Sequence, residues 1–547
     1  MRFLGQDWSQ ATRYLLFCVA VFSMGDFIFG LDVSAFGGLQ ALPSFLNDFG
    51  VYNDTTKKMA LPTLRKSLMN SIVYIGRITG VIAFEPVAER FGFRILFIAI
   101  CIVQLLSVVL QLTAKEWIQF TIGRVFGYVT IGTIEAAIPM YCAEIAPAHL
   151  RGFLSGTFVP IQTAASILGS GVVRAMATET RTRGWLIPIS IQLIPAVIGL
   201  AGVAFTVESP RWLISRGRHD EAVKVLAKLR TKEDVANGLP EAEVEALKHA
   251  VEVDREIGSG SWMELFSGPV WRRTLYAAII FFANEAGGNQ FWNSYGPSFM
   301  VDAGLGAKSF TYSIIVSLAG AIGGLIGILS SDTIGRRPPA IFGSALLVVW
   351  DCLIAGLGSR PDITSNATAQ NVVVASFILL IWSTKIAYAS VGFIVCSEMG
   401  GIRMRKKIMM VGTANDVIWS FVVAFSTPYV MKKIGANVGY VFAAIAFIGL
   451  VFAIFFLPEL KGRSLEEMDE LFDNPRFRWG WQYPKVKTTG AGAAVAQVEN
   501  VKGDHENEQD DPKFDNEKGE ANIRVQEAAY LDESTDPRPA SRVHHLG

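Results

Sequence analysis

Twelve apolar stretches, each about long enough to cross the roughly 30 Å hydrocarbon core of a bilayer, follow one another along this chain. They fall at roughly 14–39, 68–88, 95–113, 118–142, 153–174 and 185–207, then at roughly 270–299, 309–331, 339–358, 371–397, 408–431 and 437–457. Inside lipid a backbone must satisfy its own N–H and C=O groups, so each stretch is expected to be a helix. A polar stretch of roughly 60 residues, Pro210 to Pro269, separates the first six from the last six. The layout predicts an all-α membrane protein of twelve transmembrane helices in two six-helix halves, with a site between the halves near the midplane. The expected divisions are an N-terminal half over 1–208, linker helices over 209–269, a C-terminal half over 270–473 and a tail over 474–547.

Composition narrows the function. Hydrophobic residues make up 51% of the 547 and charged residues only 18%, an apolar surplus that needs a solvent other than water. The formal net charge is zero, which gives no support for a nucleic-acid partner. Cys18, Cys101, Cys142, Cys352 and Cys396 are scattered in or beside apolar runs, which suits neither a disulfide framework nor a zinc site. None of the six histidines falls inside an apolar run, so a histidine proton relay within the bilayer is not expected. No Ser/His/Asp or Cys/His arrangement has a plausible pocket, so no enzyme, metal or cofactor is expected. Gly320, Gly323, Gly324 and Gly327 lie in an apolar helix without a preceding strand, where close helix packing explains them better than a phosphate loop.

The middle segment, RWLISRGRHDEAVKVLAKLR and EAEVEALKHAVEVDREI, alternates charge with short apolar stripes, as amphipathic helices on a membrane face do. The end of the chain, including GDHENEQDDPKFDNEKGE, has too little apolar surface to fold alone and is expected to be disordered. Basic residues gather in this middle segment and at Arg90, Arg94, Arg336, Arg337, Arg403, Arg405, Lys406 and Lys407, which places those turns and both termini in the cytoplasm. That orientation puts Lys57, Lys58, Arg65, Lys66, Arg181, Arg183, Lys432 and Lys433 outside. It also puts both glycosylation sequons, at Asn53 and Asn366, on the outer side.

Several strings then point to a family. AERFGFR (Ala88–Arg94) follows the second helix, and GRVFGYVTIG (Gly123–Gly132) and PMYCAEIAPAHLRG (Pro139–Gly152) open and close the fourth. VESPRWL (Val207–Leu213) ends the sixth, SDTIGRRP (Ser331–Pro338) the eighth and PELKGRSLEEMDELF (Pro458–Phe472) the twelfth. In this order they resemble the sugar-porter branch of the major facilitator superfamily, over about residues 15–475, and NQFWNSYGPSF in the seventh helix is most similar to the fungal members.

The resemblance implies roles. Each string sets a base beside an acid at a helix end: Glu89, Glu144, Glu208, Asp332, Glu398 and Glu459 with Arg94, Arg151, Arg211, Arg337, Arg405 and Arg463. In the family such pairs fasten the halves together on the inner face; the plainer alternative is a set of snorkelling anchors. Asp32 and Arg124 match the aspartate of helix one and the arginine of helix four that couple proton uptake to transport, the alternative being a static buried pair. Glu135, Glu285 and Lys385 also lie within spans; Glu285 and Lys385 either pair with each other or meet a charge on the substrate.

A sugar site needs side chains that both donate and accept, plus aromatic rings. The family's paired glutamines and asparagine in helix seven fall here at Asn284, Glu285 and Gln290, with Asn289 between. The helix-five glutamine falls at Val159, with Gln162 one turn on; the helix-ten tryptophan falls at Phe393 and the helix-eleven asparagine at Asp416. Trp292, Asn293, Tyr295, Tyr388 and Trp419 are further lining candidates, each as readily a packing residue. The implied function is transport of a sugar or sugar-like polyhydroxylated solute with protons, by a monomer in the plasma membrane. Export of a metabolite and nutrient sensing on the same scaffold stay open as alternatives.

Overall fold

The computed structural model describes residues 2–3, 6–7, 11–54, 57–147, 150–257, 261–268, 270–363, 365–389, 392, 395–396, 399, 401–461, 472 and 479–480. The first six crossings are α1 (Arg13–Leu39), α2 (Thr63–Phe91), α3 (Phe93–Leu112), α4 (Trp117–Ile145), α5 (Phe153–Ala175) and α6 (Arg183–Val203). After the linker, α7 runs in two pieces, Val270–Asn284 and Gln290–Met300. Then come α8 (Lys308–Thr333), α9 (Arg337–Gly358), α10 (Ala367–Thr384), α11 (Gly401–Ile434) and α12 (Val438–Phe455). These helices are consistent with twelve crossings; by length and apolar composition ten stretches could cross a membrane among the described residues. One of those ten, 49 residues long, contains both α11 and α12, and the broken α7 is not among them.

Among the described residues, the wider π-turns all lie in the second half. Between the pieces of α7, Glu285–Asn289 forms a wider π-turn in which Gly288 takes φ 108°, a left-handed conformation that a side chain would strain. A β-carbon on Gly288 would also press on Asp351 of α9, 3.2 Å away. A similar turn, Lys385–Ala389, continues α10. Wider turns of this kind free backbone groups and re-aim side chains, and they gather at functional sites.

The linker forms helices at Pro210–Ser215, His219–Leu229, Lys232–Ala236 and Leu239–Ile257, packed through Leu213, Ile214, Ala222, Leu226 and Val244. It touches both halves at one face. Arg230 donates to the Ile145 carbonyl at 3.0 Å at the end of α4, while Leu265 packs against Ala277 of α7 and Met404 of α11. Most of the expected tail lies outside the described residues. Its start is anchored: Trp479 stacks near Phe456, and the Gly480 N–H donates to the Phe455 carbonyl at 2.7 Å.

Candidate functional site

Hydrogen bonds join the two halves at the membrane's middle and at the face opposite the linker. At that far face, Gln40 of α1 donates to the Ser294 carbonyl of α7 and accepts from Asn70 of α2 at 3.0 Å. Ser67 of α2 donates to the Phe425 carbonyl of α11 at 2.6 Å, and Arg174 of α5 to Thr311 of α8 at 2.6 Å. The Lys66 ammonium lies over the Tyr295 ring, 5.4 Å from its centroid. These contacts hold the two halves together at the far face.

At the middle, Arg77 of α2 grips Glu135 of α4 with two hydrogen bonds, of 2.9 and 2.7 Å. The same guanidinium crosses the seam to Asp416 of α11 at 3.2 Å. Sequence reasoning singled out Glu135 and Asp416 but missed Arg77. The available signal was an arginine inside the apolar run VYIGRITG. Behind this bridge lies Glu285, which accepts from Asn284 at 2.7 Å and Asn289 at 2.8 Å on one oxygen, and from Ser420 at 2.9 Å on the other. Gln290 donates to Ser294 at 2.7 Å, and Asn293 reaches Asn289 at 3.4 Å. Lys385 interacts through space with Glu285 and Asp416 but makes no hydrogen bond or ion pair with either. Direct Glu285–Lys385 pairing is thus absent, because the π-turn of α10 holds the ammonium away from an acid already filled by three neutral donors.

Asn284, Glu285, Asn289, Gln290 and Asp416 are therefore brought together, as expected of a substrate site. The aromatic candidates mostly are not part of it. Trp292 is packed against Phe377, with ring centroids 4.7 Å apart, inside a cluster with Phe291 and Phe442. Tyr388 is tied to Ser344 at 2.6 Å, and Tyr295 donates to the Ala424 carbonyl at 2.5 Å while closing the far face. Gln162 is half-buried on α5, whose carbonyl there lies against Gly30 of α1. Phe393 lies outside the described residues.

Asp32 and Arg124 lie in the same half, but no ion pair or hydrogen bond joins them. The arginine is occupied elsewhere: it donates to the Met69 carbonyl at 2.6 Å and lies 3.5 Å over the Phe36 ring. Asp32 sits beside Gln192, which accepts from Gln104 at 3.2 Å; Gln104 in turn accepts from Thr130 at 2.8 Å. One Asp32 oxygen has no hydrogen-bond partner, nor has either oxygen of Asp26, also buried on α1.

At two of the expected helix-end pairs, the acid holds backbone amides of its own half. Glu208 accepts the backbone N–H groups of Phe93 at 2.8 Å and Arg94 at 3.1 Å, capping α3, while Arg94 turns its guanidinium to the Ala204 carbonyl at 3.1 Å. Burial raises the Glu208 carboxyl from its ordinary range, and those N–H donors pull it partly back. Glu459 repeats the arrangement in the second half: it accepts from the N–H groups of Arg336 at 2.9 Å and Arg337 at 3.1 Å, and Arg337 turns to the Ile454 carbonyl at 2.6 Å. Both pairs lie within one half because an ionised carboxylate is better used on two bare amides of a helix start than on one side chain. Glu144 accepts from Ser209 and has a further interaction besides, and the Glu89 carbonyl accepts from Trp212 at 2.8 Å. Arg211 has interactions of its own. Glu398 and Arg463, and the side chains of Arg151, Asp332, Arg405 and Asn53, lie outside the described residues. Asn366 caps α10 through its side-chain oxygen, and its amide nitrogen donates to Asp362 at 3.3 Å, the atom a glycan would occupy.

Two six-helix halves around a polar, charge-lined seam are the layout of a membrane transporter. A family model described as "Sugar (and other) transporter" matches residues 18–472, so the chain belongs to that family, whose members are transporters and not enzymes. A high-affinity glucose transporter of Schizosaccharomyces pombe is 28% identical over 477 residues, covering 85% of this chain and 88% of its own length. A hexose transporter of Saccharomyces cerevisiae is 28% identical over 507 residues, covering 90% of this chain and 88% of its own. Among solved structures, the inward-open xylose transporter XylE of Escherichia coli superposes with TM-score 0.69 at 20% identity, over 84% of this chain and all of that one. A second, described as the proton:xylose symporter XylE bound to 6-bromo-6-deoxy-D-glucose, gives TM-score 0.66 at 21% identity.

Proposed function

We propose that this protein carries a sugar or sugar-like polyhydroxylated solute across the membrane together with a proton. The observation that carries the reading is the patch of Asn284, Glu285, Asn289 and Gln290 at the break in α7. Amides there can donate and accept at once, as sugar hydroxyls demand. The curated relatives are named glucose and hexose transporters, and one fold neighbour is named a proton:xylose symporter. Asp32 and Arg124 stand at the family's coupling positions, and the unpartnered Asp32 oxygen is free to hold a proton. The linker face, which carries the basic turns, is the cytoplasmic one, and the membrane is the plasma membrane.

Uptake of radiolabelled hexoses and pentoses into cells lacking their own sugar carriers tests the reading. Accumulation above the outside concentration, abolished by an uncoupler, is the expected result; equilibration that ignores the uncoupler removes the symport. Asp32→Asn should reduce accumulation to about unity while leaving sugar exchange intact, since a charge buried at this depth is retained for a purpose. Persistent concentrative uptake in that variant would clear Asp32 of the role.

A further inference from the structure

The ionisable groups at the middle of the seam do not balance. Glu135, Glu285 and Asp416 supply three acids, and Arg77 and Lys385 supply two bases. An unneutralised charge at this depth is costly, so the excess acid marks a place for a monovalent cation. The hydrogen bonds show where. Glu285 accepts from Asn284, Asn289 and Ser420, and Glu135 takes two hydrogen bonds from Arg77. Asp416 takes one contact of 3.2 Å from the same guanidinium, with the Asn284 amide beside it. It is the acid held most lightly, and a proton there removes the excess charge.

We propose that Asp416 is a proton-binding site at the centre of the membrane, and that loading this site frees Arg77 to let the halves part. The proposal rests on the reading above that protons drive transport. The groups facing Asp416 are Arg77 of α2, with Tyr74 beside it, Glu135 of α4, Asn284 and Glu285 of α7, and Lys385 of α10. With the proton bound, Arg77 keeps its two hydrogen bonds to Glu135 and loses its charge partner on α11. The bridge exists here with the far face shut, where Ser67 and Phe425 also join α2 to α11. The proton is therefore held preferentially when α2 and α11 are apart and the far face is open. It is loaded from that face and shed toward the linker as Arg77 reclaims the carboxylate, the direction a symporter needs.

Spin labels on cysteines placed at Lys115 and Ser365, exposed in far-face loops of the two halves, report the opening by electron–electron distance in the full chain in nanodiscs. Acid should lengthen the distance with no sugar present. Asp416→Asn should show the long distance at every pH and lose the acid response, whereas Asp416→Glu should keep the response with a displaced midpoint. An acid response undiminished in Asp416→Asn, or an unmoved midpoint in Asp416→Glu, overturns the proposal; so does opening driven by sodium at constant pH. If only Asp32→Asn removes the response, the site belongs to Asp32 instead. Because the distance is read without solute, a normal acid response beside absent sugar uptake refutes the transport reading alone.

Discussion

In the first half, Asp32 ends a chain of neutral groups, Gln192, Gln104 and Thr130, that never leaves that half. In the second, Glu285 and Asp416 stand beside a broken helix and reach across the seam to Arg77. The same need, keeping a buried acid tolerable, is met once by quiet amides within a rigid bundle and once by a cation borrowed from the partner half. The contrast assigns tasks. A network inside one half sets what that half is; a network across the seam senses where the halves are relative to each other.

The sharpest way to break this contrast is Arg77→Leu. It strands Glu135 and Asp416 without their base, and losing one member of a buried pair costs about 3–5 kcal/mol. The expected outcome is a steep fall in the thermal stability of the purified protein, largely restored when Glu135→Leu is added; no fall would mean the bridge is ornamental. Gly288→Ala tests whether the broken helix matters: forcing a side chain into its φ of 108° costs about 1–3 kcal/mol. Transport turnover should drop by about tenfold with expression retained. Asn289→Ala leaves one donor fewer on Glu285 and one fewer for the solute, so the KM for the transported sugar should rise about tenfold, near 1.4 kcal/mol. Gln162→Ala, on the first-half side, should change KM by less than about threefold, since Gln162 is only half-buried and stands apart from the α7 cluster. A larger effect there than at Asn289 would reverse the division of labour.

The crossings were legible because lipid enforces a rule on every residue of a span, and the strings at the helix ends were legible because they are local. The polar set of α7 could be read for the same reason: Asn284, Glu285, Asn289 and Gln290 are neighbours in sequence. What could not be read were partnerships over long separations. Arg77 meets a residue 58 positions away and another 339 away, and nothing near it in the chain announces either. Trp292 and Tyr388 carry the chemistry of lining residues and are turned into the bundle's packing by neighbours on other helices. At two helix ends, Glu208 and Glu459 hold backbone amides, and a bare amide leaves no mark in a one-letter code.

Those amides have one more consequence. Gly92 (φ 85°) and Gly335 (φ 113°) bring each chain so close to Glu208 and Glu459 that a β-carbon at either would collide with the acid. The same clasp thus fastens the second member to the last in both sextets. Each sextet is riveted at its rim, so a side chain at either glycine should loosen that end of its plate.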